Sequence, residues 1–115
     1  GVLMLEESRA ELQGNSLQNN DIGIEIAGAA QATLRENLIA ENRQGILLAD
    51  QARVEIDRNT IRDNRGWGSA LWLKSCFPDS SAPEAFMGRV EGTINKLQDN
   101  RAGALCGARI GQNRD

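Results

Sequence analysis

The chain of 115 residues has no histidine, two cysteines, two prolines and four aromatic residues. Catalytic signatures built on histidine are therefore absent, and no other catalytic signature can be placed. Cys76 and Cys106 are too few for a disulfide-scaffolded miniprotein. Bonded or free, they suit an oxidising or a reducing compartment. No apolar run approaches the roughly 18 residues of a bilayer-spanning helix, so no membrane insertion is expected. The opening stretch Gly1–Leu5 is short and meets Glu6 and Glu7 at once. It lacks the basic start and longer apolar run of a secretion leader, as a chain that had lost one would. The net charge of -3 asks for neither nucleic acid nor an anionic membrane as partner. No useful length shows the i, i+3, i+4, i+7 apolar spacing of a helix. No cofactor motif is present.

What is present is a repeat. Asn37-Leu-Ile39-Ala-Glu-Asn42-Arg-Gln-Gly45-Ile46-Leu-Leu48 has an earlier copy from Asn15 to Ile26 and later copies from Asn59 and Asn95. Asn15 to Asn37 and Asn37 to Asn59 are each 22 residues, a period that signifies stacked coils. Ahead of the first asparagine of each copy come Ala10-x-Leu12, Ala32-x-Leu34 and Val54-x-Ile56, the period-two alternation of short strands. Leu17, Ile39, Ile61 and Leu97 follow it as further inward residues. A second asparagine lies five positions on, at Asn20, Asn42, Asn64 and Asn100. Gly23, Gly45 or Gly103 then opens another strand, with inward pairs Ile24/Ile26, Ile46/Leu48 and Ala104/Cys106 expected. Each coil is thus three short strands and three turns. Twelve glycines against two prolines fit a chain with many tight turns.

The pattern V-x-I-x-x-N-x-I-x-x-N-x-x-G-I-x-L resembles the right-handed parallel β-helix repeats of pectate-lyase-like proteins. Within them it is most similar to the carbohydrate-binding/sugar-hydrolase group and to NosD-type periplasmic repeats. The resemblance covers nearly all of Gly1 to Cys106. It implies an all-β, single-stranded parallel solenoid of about five coils of 22 residues with one inserted loop. It also implies an extracytoplasmic setting, whether periplasmic, secreted or on a surface. Fold does not carry function: relatives include lyases, epimerases, binding modules and phage fibres. An epimerase-like site needs a histidine among aspartates, which this chain lacks. A leucine-rich repeat is excluded because its apolar positions would fall on Glu7, Ala29 and Gln51, and on Asn20, Asn42 and Asn64.

Two irregularities stand out. Asn59 to Asn95 is 36 residues, and the excess falls at 74–87, which holds both prolines and reads as a loop leaving the coil. Just before it, Arg65-Gly66-Trp67-Gly68 replaces the usual turn. Gly1-Val2-Leu3-Met4 matches Gly23–Ile26, so the expectation is one domain over 1–115 that starts and stops mid-coil. Such a chain would be a segment of a longer solenoid, or would associate with itself or a partner through its coil ends.

Columns weigh the candidate sites. In a parallel stack, like positions recur about every 4.8 Å. The asparagine columns Asn15/Asn37/Asn59/Asn95 and Asn20/Asn42/Asn64/Asn100 read as structural ladders, since asparagine tolerates left-handed turns and its amide can bond along the stack. Glu55, Asp57 and Glu91 share a face and could invite a hard cation, but Arg35 stacks beside Asp57 and is expected to pair with it. Asp21, Arg43, Arg65 and Arg101 lie beside Asn19, Glu41, Asp63 and Asp99, the pattern of a self-neutralising surface. No metal site is assigned. Cys106 sits where Ile26 and Leu48 recur and reads as a small core residue. Cys76 lies in the loop, off that column, so a disulfide stays open as the less favoured reading.

The aromatics Trp67, Trp72, Phe77 and Phe86 all lie at the irregular place. Leu71 and Leu73 are expected to point inward, with Trp67 and Trp72 outward under a cover of Phe77, Phe86 and Met87. These four aromatics are the candidate binding residues, for a protein partner or a polysaccharide. Two functions follow. The first is a non-catalytic β-helical binding or structural module of a larger surface or periplasmic assembly. The alternative is the repeat core of a lyase-like, carboxylate- and calcium-assisted enzyme, with Glu55, Asp57, Glu91 and Arg35 on its working face.

Overall fold

The structure is a computed structural model and describes residues 1–107. The first strands are β1 (Val2–Met4), β2 (Arg9–Gln13), β3 (Ser16–Gln18) and β4 (Ile22–Ile26). The second copy supplies β5 (Gln31–Arg35), β6 (Leu38–Ala40) and β7 (Gln44–Leu48). The third supplies β8 (Arg53–Asp57), β9 (Thr60–Arg62) and β10 (Trp67–Leu71). After the insertion come β11 (Arg89–Thr93), β12 (Lys96–Gln98) and β13 (Gly103–Cys106). These strands form three parallel sheets: sheet A in the order β1-β4-β7-β10-β13, sheet B β2-β5-β8-β11 and sheet C β3-β6-β9-β12. Among the described residues, sheets B and C have four strands each and sheet A has five, slightly fewer than five full coils. The expected stretch 108–115 lies outside the described residues.

Register follows the repeat over the first three coils. Leu12, Leu34 and Ile56 align, as do Leu17, Ile39, Ile61 and Leu97. Val2/Ile24/Ile46 and Met4/Ile26/Leu48 align likewise. Ile24, Ile26, Leu34, Ile39, Ile46, Leu48, Ile56 and Ile61 are all at 0% exposure. Branched aliphatic side chains fill a narrow coil without polar atoms to satisfy, so apolar burial is the main stabilising term.

The asparagine columns are ladders. Asn37 Oδ1 accepts from Asn15 N–H at 2.9 Å and from Asn15 Nδ2 at 3.2 Å. Asn37 Nδ2 donates to the Leu12 carbonyl at 2.9 Å and to Asn59 Oδ1 at 3.0 Å. In the second column, Asn42 Nδ2 reaches the Leu17 carbonyl at 3.0 Å and Asn64 Oδ1 at 3.1 Å. The ladder survives the insertion, since Asn59 N–H reaches Asn95 Oδ1 at 2.9 Å.

The left-handed residue of each turn is generally not the ladder asparagine but the residue before it. Glu36, Arg58 and Ile94 have φ of 55, 55 and 56°, and Glu41, Asp63 and Asp99 have 57, 56 and 52°. The ladder positions therefore select asparagine for its inward-facing amide rather than for turn conformation. Gly23 is needed for close approach: a Cβ there would lie 2.7 Å from the Gly45 carbonyl oxygen and 2.9 Å from Asn42 Nδ2.

The fourth coil corrects one register. Ile46 lies four positions after Asn42, whereas its partners Ser69 and Leu105 lie five after Asn64 and Asn100. One extra residue in each turn flips the faces downstream. Leu105, not Ala104, therefore continues the Ile24/Ile46 column, and Cys106 aligns with Ala70, Leu47 and Glu25. Cys106 is not a core residue. It faces outward and is bonded to Cys76, with a Cα–Cα distance of 5.9 Å. The less favoured disulfide reading is the one that holds.

Candidate functional site: a groove between sheet A and the inserted loop

Leaving β10, the chain runs outward over sheet A before returning to β11. Cys76 and Phe77 N–H both donate to the Leu73 carbonyl at 3.0 Å, making a tight turn. Lys74 N–H reaches the Pro83 carbonyl at 2.8 Å, and Lys74 Nζ donates to the Ser80 carbonyl. Ser80 Oγ donates to the Phe77 carbonyl at 2.6 Å. The bridge to Cys106 fastens this turn to β13. The insertion is thus held by hydrogen bonds within it, by Phe86 packed against the core cluster and by one covalent bond to the wall.

Between loop and wall lies a groove of about 590 Å³, within the range of small-ligand sites. Its floor is Ile22, Ala27, Leu47 and Ala49, and one wall is Trp72, Phe77 and Ser80. Trp72 and Phe77 pack with ring centroids 5.1 Å apart and planes tilted by 42°, a favourable aromatic geometry. Glu25, Arg43, Gln44 and Asp50 complete the lining. Leu47 occupies the outward column where the other coils carry Leu3, Glu25 and Ala70, yet it is only 9% exposed.

The polar groups differ in how fully they are engaged. Arg43 forms a two-point ion pair with Asp21, one contact at 3.0 Å. Hydrogen bonding to Arg43 holds the Asp21 carboxyl below its ordinary value of 3.8, against an opposing desolvation and with help from the charges of Arg43 and Arg65. The same hydrogen bond and the Asp21 charge raise Arg43 further above its already high ordinary value. Gln44 Oε1 accepts from Trp67 N–H at 2.8 Å. Asp50 Oδ2 accepts from Gly28 N–H at 2.9 Å. Glu25 has no ion pair among the described residues.

The four aromatics named from the sequence do not gather at one place. Trp72 and Phe77 form the groove wall. The ring of Trp67 packs over Gly103, where an added Cβ would be 2.6 Å from Trp67 Cζ3. Phe86 packs against the core cluster together with Leu73 and Val90. Met87 is 72% exposed and covers nothing. The expected cover therefore reduces to Phe77 on Trp72. Leu71 takes the buried place in the Leu48 column, and Leu73 packs partly buried against the core. The strand itself lies earlier than expected, ending at Leu71. Glu25, Leu47 and Asp50 were not singled out from the sequence. Leu47 was findable, as a large apolar residue in an outward column.

On sheet B, Arg53, Glu55, Arg89 and Glu91 border an open dish of about 230 Å³. Arg89 pairs with Glu91 at 2.9 Å, and Arg35 lies 3.8 Å from Glu55 and 3.9 Å from Asp57, so the expected Arg35–Asp57 pairing is present. Arg43 pairs along its own column with Asp21, and Arg62 pairs with Asp63 at 2.7 Å. Among the described residues no group of three or more Asp, Glu, Cys or His is arranged to hold a metal ion. Among the described residues no helix is long and apolar enough to cross a bilayer.

Comparison with curated proteins and with solved structures returned no match. A family model described as a right-handed β-helix region matches residues 1–106. That match spans all three sheets and their asparagine turns, and the chain belongs to the right-handed β-helix family.

Proposed function

We propose that this is a non-catalytic recognition module: a β-helical wall that presents the groove beside the inserted loop to a protein or glycan partner within a larger extracytoplasmic assembly. The observation that carries it is the aromatic wall. Trp72 and Phe77 stand over the apolar floor around Leu47 and are fastened to β13 by the Cys76–Cys106 bridge. A loop held on a rigid scaffold is a common place for recognition, because the scaffold limits the ordering cost of binding. The disulfide also supports an oxidising compartment. On the face considered for lyase-like chemistry, Arg35 is engaged by both Glu55 and Asp57. That pairing favours a charged surface over a poised base.

Tryptophan emission tests the reading. Capped peptides and neutral and acidic oligosaccharides, added in turn, should include at least one probe that shifts the emission saturably. Trp72→Ala, with binding read by calorimetry because the variant lacks the groove's fluorophore, should abolish binding while leaving the melting temperature nearly unchanged. A panel without any response, or unaltered binding by Trp72→Ala, would remove the groove as the contact site.

A further inference from the structure

We infer that the groove takes a basic side chain, lysine or arginine, of a partner protein. This rests on the reading of the groove as the contact site and adds the chemistry of what enters it. Charge is the first argument. Of the ionisable groups in the lining, Arg43 is neutralised by its two-point pair with Asp21. Glu25 has no basic partner among the described residues, and Asp50 holds only the Gly28 N–H. Lys74 is turned to the Ser80 carbonyl and is not in the lining. Two carboxylates therefore face the groove without a cation to answer them.

Shape and polarity point the same way. A lysine or arginine side chain has an apolar stem and a charged head. Leu47 supplies an apolar floor for the stem, and the Trp72–Phe77 pair supplies aromatic faces, which attract cations through their quadrupoles. An acidic ligand would meet Glu25 and Asp50 unscreened. A neutral ligand would leave both without a counter-charge. The disulfide anchors the aromatic wall, so the site is formed before the partner arrives.

The test uses the intact chain and titration calorimetry, a readout that Trp72→Ala does not remove. The probes are the capped pentapeptide acetyl-Ala-Lys-Leu-Lys-Ala-amide, the same peptide with norleucine for both lysines, and a neutral oligosaccharide. The lysine peptide should bind saturably, and norleucine should weaken it about tenfold. Raising salt should weaken only the lysine peptide. The isosteric pair Glu25→Gln and Asp50→Asn should reproduce the norleucine effect, with circular dichroism confirming the fold. The norleucine series needs no variant, so the question stays answerable if a variant misfolds. Equal binding of the norleucine peptide overturns the basic-side-chain inference and leaves the groove reading standing. Binding of the oligosaccharide alone does the same. No binding by any probe, or lysine-peptide binding that Trp72→Ala leaves intact, overturns both.

Discussion

The first three coils and the inserted loop are built on opposite principles. In the coils every stabilising feature is repeated. Ile39 stacks between Leu17 and Ile61, and Asn42 bonds Asn20 on one side and Asn64 on the other. Stability there is a sum of near-identical neighbour terms. In the loop nothing repeats. One disulfide, one aromatic pair, Phe86 on the core and single, unrepeated hydrogen bonds fix the segment. The repeated region offers polar, charged hollows such as the dish on sheet B, while the unrepeated region makes the larger, aromatic-walled groove. Repetition gives rigidity, and departure from it gives a place to bind.

That contrast can be broken at its strongest single point. Replacing both Cys76 and Cys106 by serine should lower stability by about 2–4 kcal/mol in the chain-entropy picture, with the bridge spanning 30 residues. The loss should be local if the coils are self-sufficient. Hydrogen exchange would then show new openings in the loop and β13 but unchanged protection in β5–β9. Loss of protection throughout would mean that the loop holds the stack together.

The ladder gives the complementary experiment. Asn42 is fully buried, and Asn42→Leu removes the acceptor of the Asn20 N–H and the donor to the Leu17 carbonyl. The expected cost is about 1–3 kcal/mol in urea unfolding. Arg43→Leu, next door and outward, should stay within about 0.5 kcal/mol because its ion pair is exposed. Equal midpoints for Asn42→Leu and the parent would show that the coils do not depend on the ladder.

A smaller effect should run in the stabilising direction. Ile94 is a β-branched residue at φ 56° and is 51% exposed, a conformation that costs such residues about 1–2 kcal/mol. Gly14 holds the equivalent place two coils earlier than Arg58 does. Ile94→Gly should therefore raise stability by up to about 1 kcal/mol, net of the greater entropy of the unfolded glycine. A lower melting temperature would show that fourth-coil packing, not turn strain, governs that corner.

The smallest effect is pH-dependent. Asp21 titrates below its ordinary 3.8 because Arg43 hydrogen-bonds it. Its contribution is complete above the unfolded value and disappears as pH falls through the lower folded value. Parent and Asp21→Asn should then differ slightly at neutral pH and converge in strong acid. A difference that grows on acidification would contradict the sign of that shift.

The repeat was legible because a solenoid writes its contacts locally. Over the first three coils, the buried isoleucine columns and both asparagine ladders follow from residues 22 apart, and their alignment needs no knowledge of distant chain. The Asn59–Asn95 step of 36 residues also announced the loop. What the loop does was not legible. The route of the chain from Leu73 to Gly88 depends on turn geometry, a cross-link and the wall it lies on, none of which has a period. Cys106 shows this most clearly. One extra residue after Asn100 turns it from the core to the outside, where Cys76 can reach it. The groove has the same origin. Leu47, Glu25, Trp72 and Phe77 come from three separate stretches, and only the folding of loop onto wall brings them together. Local sequence determined the stack because its interactions recur at one fixed spacing, whereas tertiary structure alone decided the groove because its interactions occur once.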